Sequence, residues 1–233
     1  MIKEKFIESA KTLGVNFTND MVEQFEYYYD KLVTYNEKVN LTAITEKEDV
    51  YIKHFLDSII SAPFLKENAK VCDIGAGAGF PSLPLKIVRP DLNVVMVDSL
   101  NKRIVFLEEL IKELNLKNIK AVHNRAEDFA INNKEKFDVV VARAVASLNT
   151  LCEYCLPLIK VGGYFYAYKS GDILDELNNA TNAISVLGGK LYEVKQLLLP
   201  NTSIARSLII VVKHKKTPSQ YPRTKNKPKL QPL

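Results

Sequence analysis

No apolar stretch of the sequence approaches the roughly 20 residues that a membrane-spanning helix requires. Residues 1–13 alternate charged and apolar side chains and contain no apolar core of the kind found in signal peptides. These two absences predict a protein that does not cross a membrane and that stays in the cytoplasm.

Cysteine is scarce, with three residues at irregular positions, and an odd number argues against a disulfide framework. Cys152 and Cys155 form a CxxC pair, but the surrounding residues are typical of a helix. Neither a second CxxC pair nor a cluster of histidines completes a zinc site. We therefore expect both thiols to pack in the core and expect no metal ion.

Acidic residues are missing from positions 213–233, which contain seven Lys or Arg residues. Because the chain has a formal net charge of +5, residues 1–212 carry a formal charge of −2. A basic tail can neutralise nucleic-acid phosphates, whereas its four prolines oppose regular structure. Residues 214–233 are therefore predicted to be an irregular tail, and a solubilising role and contact with nucleic acid both remain open.

The first 65 residues are predicted to form a helical extension. Apolar residues recur every three or four positions, as in a helix that buries one face: Met21, Phe25, Tyr28, Leu32, Tyr35 and Val39. We expect the tyrosines in this stripe to pack in the hydrophobic core and not to stack on nucleic-acid bases. Thr45 and Glu48 have the spacing of a capping box and predict another helix, ending before Pro63.

Residues 66–213 alternate short strand-like and helix-like segments. The strands are predicted at 70–74, 94–98, 119–123, 137–142, 164–169, 190–198 and 208–213, and helices at 83–88, 102–114, 148–158 and 173–187. This alternation is typical of a doubly wound α/β fold, a mostly parallel seven-stranded sheet with helices on both faces. No helical pattern separates the last two strands, so the final strand should be antiparallel to its neighbour.

A glycine-rich turn follows the first predicted strand. Gly75, Gly77 and Gly79 allow a tight turn and close approach of a ligand at the edge of the sheet where such folds bind ligands. The dinucleotide fingerprint needs a small residue where this chain has Phe80, and no GK[ST] follows as in a Walker loop. The Asp-x-Gly-x-Gly-x-Gly form resembles the motif of S-adenosylmethionine-dependent methyltransferases.

Polar residues also follow the later strands. Asp98 ends the second strand, 23 residues after Gly75, where a carboxylate can accept both ribose hydroxyls of an adenosine. Glu127 follows the third strand, Arg143 the fourth and Lys169 the fifth. In a parallel sheet these positions converge on one crevice, although surface ion pairs remain an alternative for Glu127 and Arg143.

Several motifs together resemble the ribosomal RNA small-subunit methyltransferase G family, also called glucose-inhibited division protein B. The matching stretches are NLTAI at 40–44, HFLDS at 54–58, DIGAGAGFP at 73–81, VDSLNKR at 97–103, RAE at 125–127, ARAVA at 142–146 and YPR at 221–223. The resemblance implies a cytoplasmic bacterial enzyme that methylates N7 of a guanine in 16S ribosomal RNA. It also implies that Gly75, Phe80, Ala126, Glu127 and Arg143 belong to the S-adenosylmethionine site.

This chemistry requires little from the protein beyond positioning, because the methyl group on a sulfonium is electrophilic and guanine N7 has no proton to remove. Arg143 and Lys169 are the candidates to engage the guanine or its phosphates; a bond to guanine O6 would leave N7 free. His54 and Asp57 could line the same opening, but a contact within their own helix is the simpler interpretation.

Three other functions remain open at this stage. A methyltransferase of the same fold could act on a small molecule or a protein, and a non-catalytic RNA-binding protein could retain a vestigial cofactor site. A nicotinamide-dependent dehydrogenase is disfavoured by Phe80. The expected partner is 16S ribosomal RNA or the small ribosomal subunit, bound by a monomer.

Overall fold

The computed structural model describes residues 2–233 and contains one seven-stranded sheet in the order β3-β2-β1-β4-β5-β7-β6. The strands are β1 Lys70–Ile74, β2 Asn93–Asp98, β3 Ile119–His123, β4 Phe137–Arg143, β5 Ile159–Ser170, β6 Gly189–Leu198 and β7 Ala205–Lys213. Strands β1 to β5 are parallel, and β7 is antiparallel to both β5 and β6. The predicted doubly wound fold with an antiparallel last strand is confirmed.

Helices cover both faces of this sheet. They are α1 Ile2–Thr12, α2 Asn19–Val39, α3 Lys47–Asp49, α4 Ser82–Val88, α5 Asn101–Glu113, α6 Ala126–Asn132, α7 Leu148–Cys155, α8 Leu174–Val186 and α9 Lys227–Leu230. A π-helix, Val50–Leu56, continues α3, and 3-10 turns span Ile59–Phe64 and Leu156–Leu158. No helix of residues 2–233 is long and apolar enough to cross a membrane.

The sheet separates two hydrophobic clusters because successive side chains of a strand point to opposite faces. Val71 of β1 belongs to the cluster that also contains Phe25 and Tyr28 of α2, whereas Cys72 belongs to the cluster beneath α7. The amphipathic stripe of α2 is therefore core, as predicted, and the N-terminal helices share that core with the sheet. Cys152 and Cys155 are free and buried, which confirms their role in packing.

Two predictions about helix ends were wrong. Thr45 does not cap α3, which begins after Glu46 and has no side-chain hydrogen bond at its cap; the Thr45 carbonyl instead accepts a bond from Tyr29. The helical path does not end before Pro63, because a 3-10 turn takes over and runs to Phe64. A proline in this turn is tolerated since it follows the point where α-helical hydrogen bonding has ended.

The C-terminal tail is more ordered than its prolines predicted. Helix α9 contains Pro228 in its first turn, where the missing N–H costs no intrahelical bond. Tyr221 and Leu233 pack against the cluster beneath α7. The prediction of an irregular tail was therefore wrong for Lys227–Leu230, and tertiary contacts hold residues 221–233 against the domain.

Candidate active site

The glycine turn bends tightly between β1 and α4. Gly75 has φ of +75°, and a Cβ atom at this position would lie 2.4 Å from Cγ2 of Val145. Gly79 has φ of +102°, and a Cβ there would lie 2.7 Å from the Tyr28 hydroxyl. Only glycine fits both positions, since each combines a left-handed backbone with a close neighbour.

Hydrogen bonds fix this turn to the end of β2. The N–H groups of Gly75 and Ala76 donate to the Val97 carbonyl at 2.8 and 3.1 Å, and the Gly77 N–H donates to Oδ2 of Asp98 at 2.9 Å. The predicted loop and the predicted acid therefore form one unit, with the carboxylate acting first as an anchor for the glycine turn.

The Asp98 carboxylate is 3% exposed and already accepts three hydrogen bonds. Besides Gly77, the Leu100 N–H donates to Oδ1 at 2.9 Å and Arg103 Nη1 donates to Oδ2 at 3.2 Å. An ionised carboxylate offers about four acceptor sites. One ribose hydroxyl can therefore be added without disturbing the present bonds, whereas a second requires Arg103 to move.

A cavity of about 650 Å³, the larger cavity, opens at this end of the sheet. It is lined by Ile74, Gly75, Val97, Asp98, Ser99, Arg103, Asn124, Arg125, Ala126, Glu127, Ala144, Val145, Ala146, Tyr154 and Lys229. Four of the predicted cofactor residues line it, namely Gly75, Asp98, Ala126 and Glu127. Gly77, Gly79, Phe80 and Arg143 do not line it, and the first three support the turn from behind.

Two features of the larger cavity fit a nucleoside ligand. The Arg103 Nε donor is buried and has no hydrogen-bond partner among residues 2–233, which is costly unless a ligand supplies an acceptor. Glu127, in the first turn of α6, is 3% exposed and pairs with Arg125 Nε at 3.2 Å. Donors, acceptors and the aromatic ring of Tyr154 thus converge on one space of the size that small-molecule sites have.

A second cavity of about 420 Å³, the basic cavity, adjoins the first. It is lined by Lys53, His54, Asp57, Arg143, Ala144, Tyr168, Lys169, Ser170, Glu176 and Arg206. Ala144 lines both cavities. Both residues predicted to engage the substrate, Arg143 and Lys169, lie here and not in the larger cavity.

Arg143 is held by the segment that precedes the sheet. Its Nη1 donates to Oδ2 of Asp57 at 2.9 Å, its Nη2 contacts Nδ1 of His54 at 3.1 Å, and its guanidinium carbon lies 4.8 Å from the centre of the Phe80 ring. The predicted contact of His54 and Asp57 within their own helix is absent; both side chains meet Arg143 instead. Arg206 Nε occupies the other oxygen of Asp57 at 2.8 Å.

The tautomer of His54 follows from its partners. Arginine only donates, so Nδ1 accepts, and Nε2 carries the proton and donates to Oγ1 of Thr42 at 2.8 Å. Burial and the nearby Arg143 lower the pKa of His54 to about 3. A neutral imidazole stacks on Phe80 at a ring-centre distance of 4.4 Å, which fixes Phe80 as packing behind the site.

Lys169 is also held by a carboxylate. Its ammonium donates to Oε1 of Glu176 at 2.6 Å and to the Ala146 carbonyl at 2.9 Å. The same Oε1 accepts the Leu148 N–H at 2.7 Å, and Glu176 Oε2 makes no hydrogen bond to a described residue. Glu176 therefore keeps one free acceptor at the wall of the basic cavity.

Asp73, the first residue of the glycine motif, is fully buried. Its Oδ2 accepts the Ser82 N–H at 3.2 Å, and its Oδ1 has no partner in the described chain. Burial raises the pKa of Asp73 to about 7, against the opposing effect of its bonds to Ser82.

Sequence reasoning missed several residues of the two cavities: Arg103, Val145, Tyr154, Glu176, Arg206 and Lys229. Arg103 lies five residues beyond Asp98, on the first turns of the following helix, which was a usable signal. Arg206 and Lys229 come from a hairpin and from the tail, and no spacing in the sequence points to them.

The family model described as rRNA small subunit methyltransferase G matches residues 21–205. The ribosomal RNA small subunit methyltransferase G of Lachnoclostridium phytofermentans is 51% identical over 98% of this chain and 96% of its own length. The protein of the same name from an Exiguobacterium species is 50% identical over the full length of both chains.

Solved structures share the fold at low sequence identity. A SAM-dependent methyltransferase from Aquifex aeolicus has a TM-score of 0.54 at 16% identity, covering 72% of this chain and 94% of that one. TYW2 of M. jannaschii, in complex with AdoMet, has a TM-score of 0.54 at 17% identity, covering 69% and 74%. These likenesses show the fold alone, a Rossmann-like doubly wound sheet.

Proposed function

The chain belongs to the rRNA small subunit methyltransferase G family, and from this premise we propose that it methylates N7 of a guanine in 16S ribosomal RNA. S-adenosylmethionine is the cofactor. The observation that carries the proposal is the junction of two cavities at Ala144, one suited to a nucleoside and the other lined by arginine and lysine. We also propose that the protein acts in the cytoplasm, where its ribosomal RNA substrate is located, and that it acts as a monomer.

The larger cavity is the proposed cofactor seat. Asp98 and the unpaired Arg103 Nε would offer an acceptor and a donor to the ribose, and Ala126, Glu127 and Tyr154 would contact the adenine. The methionine end would lie against Gly75, where the absent side chain leaves room for the backbone to approach the ligand. Gly77, Gly79 and Phe80 keep this turn in shape.

The basic cavity is the proposed guanine pocket. Arg143 and Lys169 are the donors for O6 or for a neighbouring phosphate, and the free Glu176 Oε2 is an acceptor for the N1–H and N2–H of guanine. The guanidinium of Arg143 cannot swing freely, since Asp57 and His54 hold both of its terminal nitrogens. Such fixed donors act by holding the base in one orientation.

When bound, S-adenosylmethionine supplies a methyl group on a positively charged sulfur. The lone pair of guanine N7 would form the new N–C bond as the C–S bond breaks, with its electron pair left on sulfur. The positive charge would pass to the base without transfer of a proton. The protein therefore needs no general base. Arg143 and Lys169 would orient the purine, and the cofactor and the guanine would meet at Ala144, which lines both cavities.

A transfer assay tests this proposal. Small subunits and naked 16S RNA from cells lacking the protein are incubated with enzyme and methyl-labelled cofactor, and the product is mapped by mass and by N7-specific strand cleavage. We expect one labelled guanine and a large loss of rate in Arg143→Gln. Lys160→Gln should cause no loss, since the Lys160 side chain is exposed, pairs with Asp138 and lines neither cavity. If only proteins or small molecules were labelled, the claim that ribosomal RNA is the substrate would be overturned. If the protein did not bind S-adenosylmethionine, the claim that it is a methyltransferase would be overturned.

A further inference from the structure

Two of the seven basic residues at positions 213–233 are internal structural groups. The ammonium of Lys213 is buried and donates to the Leu156 carbonyl at 2.6 Å, and burial lowers its pKa to about 8. Arg223 is bound to Glu153 of α7. Neither cation is available to a ligand, so the remaining five decide what the tail can bind.

The tail is fastened to α7 at two points. Glu153 is completely buried, and it accepts the Arg223 backbone N–H at 2.7 Å, Nε at 2.9 Å and Nη2 at 2.7 Å. One turn earlier, the Thr150 hydroxyl donates to the Pro228 carbonyl at 3.0 Å. A buried, multiply bonded carboxylate is a strong anchor, because breaking it leaves an unpaired charge inside the protein.

Three lysines project from the fastened segment. Lys225, Lys227 and Lys229 are exposed, and none forms an ion pair within residues 2–233. Lys229 lines the larger cavity. With no acidic residue beyond position 212, this row concentrates positive charge beside the site, whereas residues 1–212 carry a formal charge of −2.

We infer that Lys225, Lys227 and Lys229 form a fixed phosphate-binding strip for the RNA strand that enters the site. The identity of this strand rests on the proposed function; the strip itself rests on the anchors and on the unpaired lysines. Lysines that neutralise phosphates release counterions and bind more weakly as salt rises. Because Glu153 and Thr150 order the segment beforehand, RNA binding does not have to supply that ordering energy.

The first experiment removes charge. The Lys225→Gln/Lys227→Gln variant is compared with Lys117→Gln/Lys120→Gln, which removes equal charge near the amino end of β3. We expect the first variant to raise KM for small subunits about tenfold with kcat within twofold, and to flatten the log–log salt dependence of RNA binding by about 1.4, or 0.7 per phosphate. The control should keep KM within twofold, and equal effects of both variants would reduce the strip to general electrostatic attraction.

The second experiment removes the anchor and leaves every lysine. Glu153→Gln makes the protein one charge more positive, so a freely mobile tail would bind RNA at least as well as before. A fixed strip predicts the opposite, a higher KM together with faster tryptic cleavage after Arg223, Lys225 and Lys229. Unchanged KM with accelerated cleavage would overturn the inference.

The third variant covers the case in which Glu153→Gln fails to fold. Thr150→Val removes only the hydroxyl that binds Pro228, and we expect a smaller change of KM and cleavage in the same direction. If the wild-type protein methylates ribosomal RNA and these variants behave as the control does, only the inference of a phosphate-binding strip is contradicted. Wild-type protein that transfers no methyl group to ribosomal RNA would sink the proposed function, whatever the binding data show.

Discussion

Asp57 holds Arg143 from a helical segment 86 residues away in the chain, through a 2.9 Å bond from Nη1 to Oδ2. Its second oxygen accepts Arg206 Nε at 2.8 Å, so one nearly buried carboxylate neutralises two arginines of the basic cavity. Burial of these three charged groups carries a desolvation penalty, and the hydrogen bonds between them offset that penalty. Removing the central partner should therefore cost far more than removing a partner of an exposed pair.

We expect Asp57→Asn to lower the free energy of unfolding by about 3 kcal/mol, because two arginines with little solvent access lose their shared counter-charge. Chemical denaturation measures this loss. Asp49→Asn is the matched control, since the Lys53–Asp49 pair is exposed and joins neighbouring turns; its cost should stay below about 0.5 kcal/mol. Equal costs in the two variants would show that Asp57 does not hold the arginines in solution.

His54 should make the protein acid-sensitive. The imidazole titrates near 6.5 when unfolded and near 3 when folded, so between these values the unfolded chain binds more protons and stability falls with falling pH. Asp73 has a folded pKa of about 7, so its protonation stabilises the folded state as the pH falls. The difference in stability between the wild type and His54→Gln cancels this effect and isolates that of His54. From pH 7 to 5 the wild type should lose about 1–2 kcal/mol more than His54→Gln. Parallel stability curves for the two proteins would contradict the buried, neutral imidazole.

The sheet was predictable because its strands are buried apolar segments separated by helices of ordinary length. The seven predicted strands correspond to the seven observed, although β5 begins at Ile159, five residues before the predicted start. Helix α6 was missed, since Ala126–Asn132 is too short to show a helical period. The capping box failed because a local pattern cannot reveal that the Thr45 carbonyl is bound by Tyr29.

The site was predictable only as far as the sheet positions it. Gly75, Asp98 and Glu127 lie where strand ends and the following turns place them, in the larger cavity. The division into two cavities was not predictable, because Arg143 is turned into the second one by Asp57 and His54, which precede the sheet. The anchored tail was missed for the same reason: its order depends on Glu153, distant in sequence and indistinguishable there from a surface acid.

Gly75→Ala should weaken cofactor binding at least tenfold. The new methyl group would meet Val145 at 2.4 Å and would also strain a backbone with φ of +75°, so the turn must shift. Calorimetry with S-adenosylmethionine measures the change. Gly162→Ala is the control for strain alone, since φ there is +87° with no atom within 4 Å of the added Cβ; it should leave the Kd unchanged.

Adding Val145→Ala to Gly75→Ala separates the two causes of that loss. If the contact with Val145 dominates, the double variant should recover most of the affinity; if the left-handed backbone dominates, it should recover little. Wild-type affinity in Gly75→Ala itself would remove the glycine turn from the cofactor seat.

Glu176 should determine how well the basic cavity distinguishes guanine from the base of inosine, which lacks the 2-amino group of guanine. The free Oε2 is the proposed acceptor for N1–H and N2–H, and a hydrogen bond to a charged group contributes about 1.5–3 kcal/mol. Wild-type enzyme should therefore methylate a subunit carrying inosine at the target position about 10- to 100-fold more slowly than one carrying guanine.

The Glu176→Gln variant should be slower on guanine but nearly indifferent to this replacement, because the contact that inosine lacks has already been weakened in the protein. The measured quantity is the ratio of kcat/KM for the two substrates, which cancels any general effect of losing the Lys169 ion pair. Lys160→Gln, which breaks an exposed pair with Asp138 far from the cavity, should keep the wild-type ratio. An unchanged ratio in Glu176→Gln would remove the carboxylate from base recognition and leave Arg143 and Lys169 as the groups that orient the guanine.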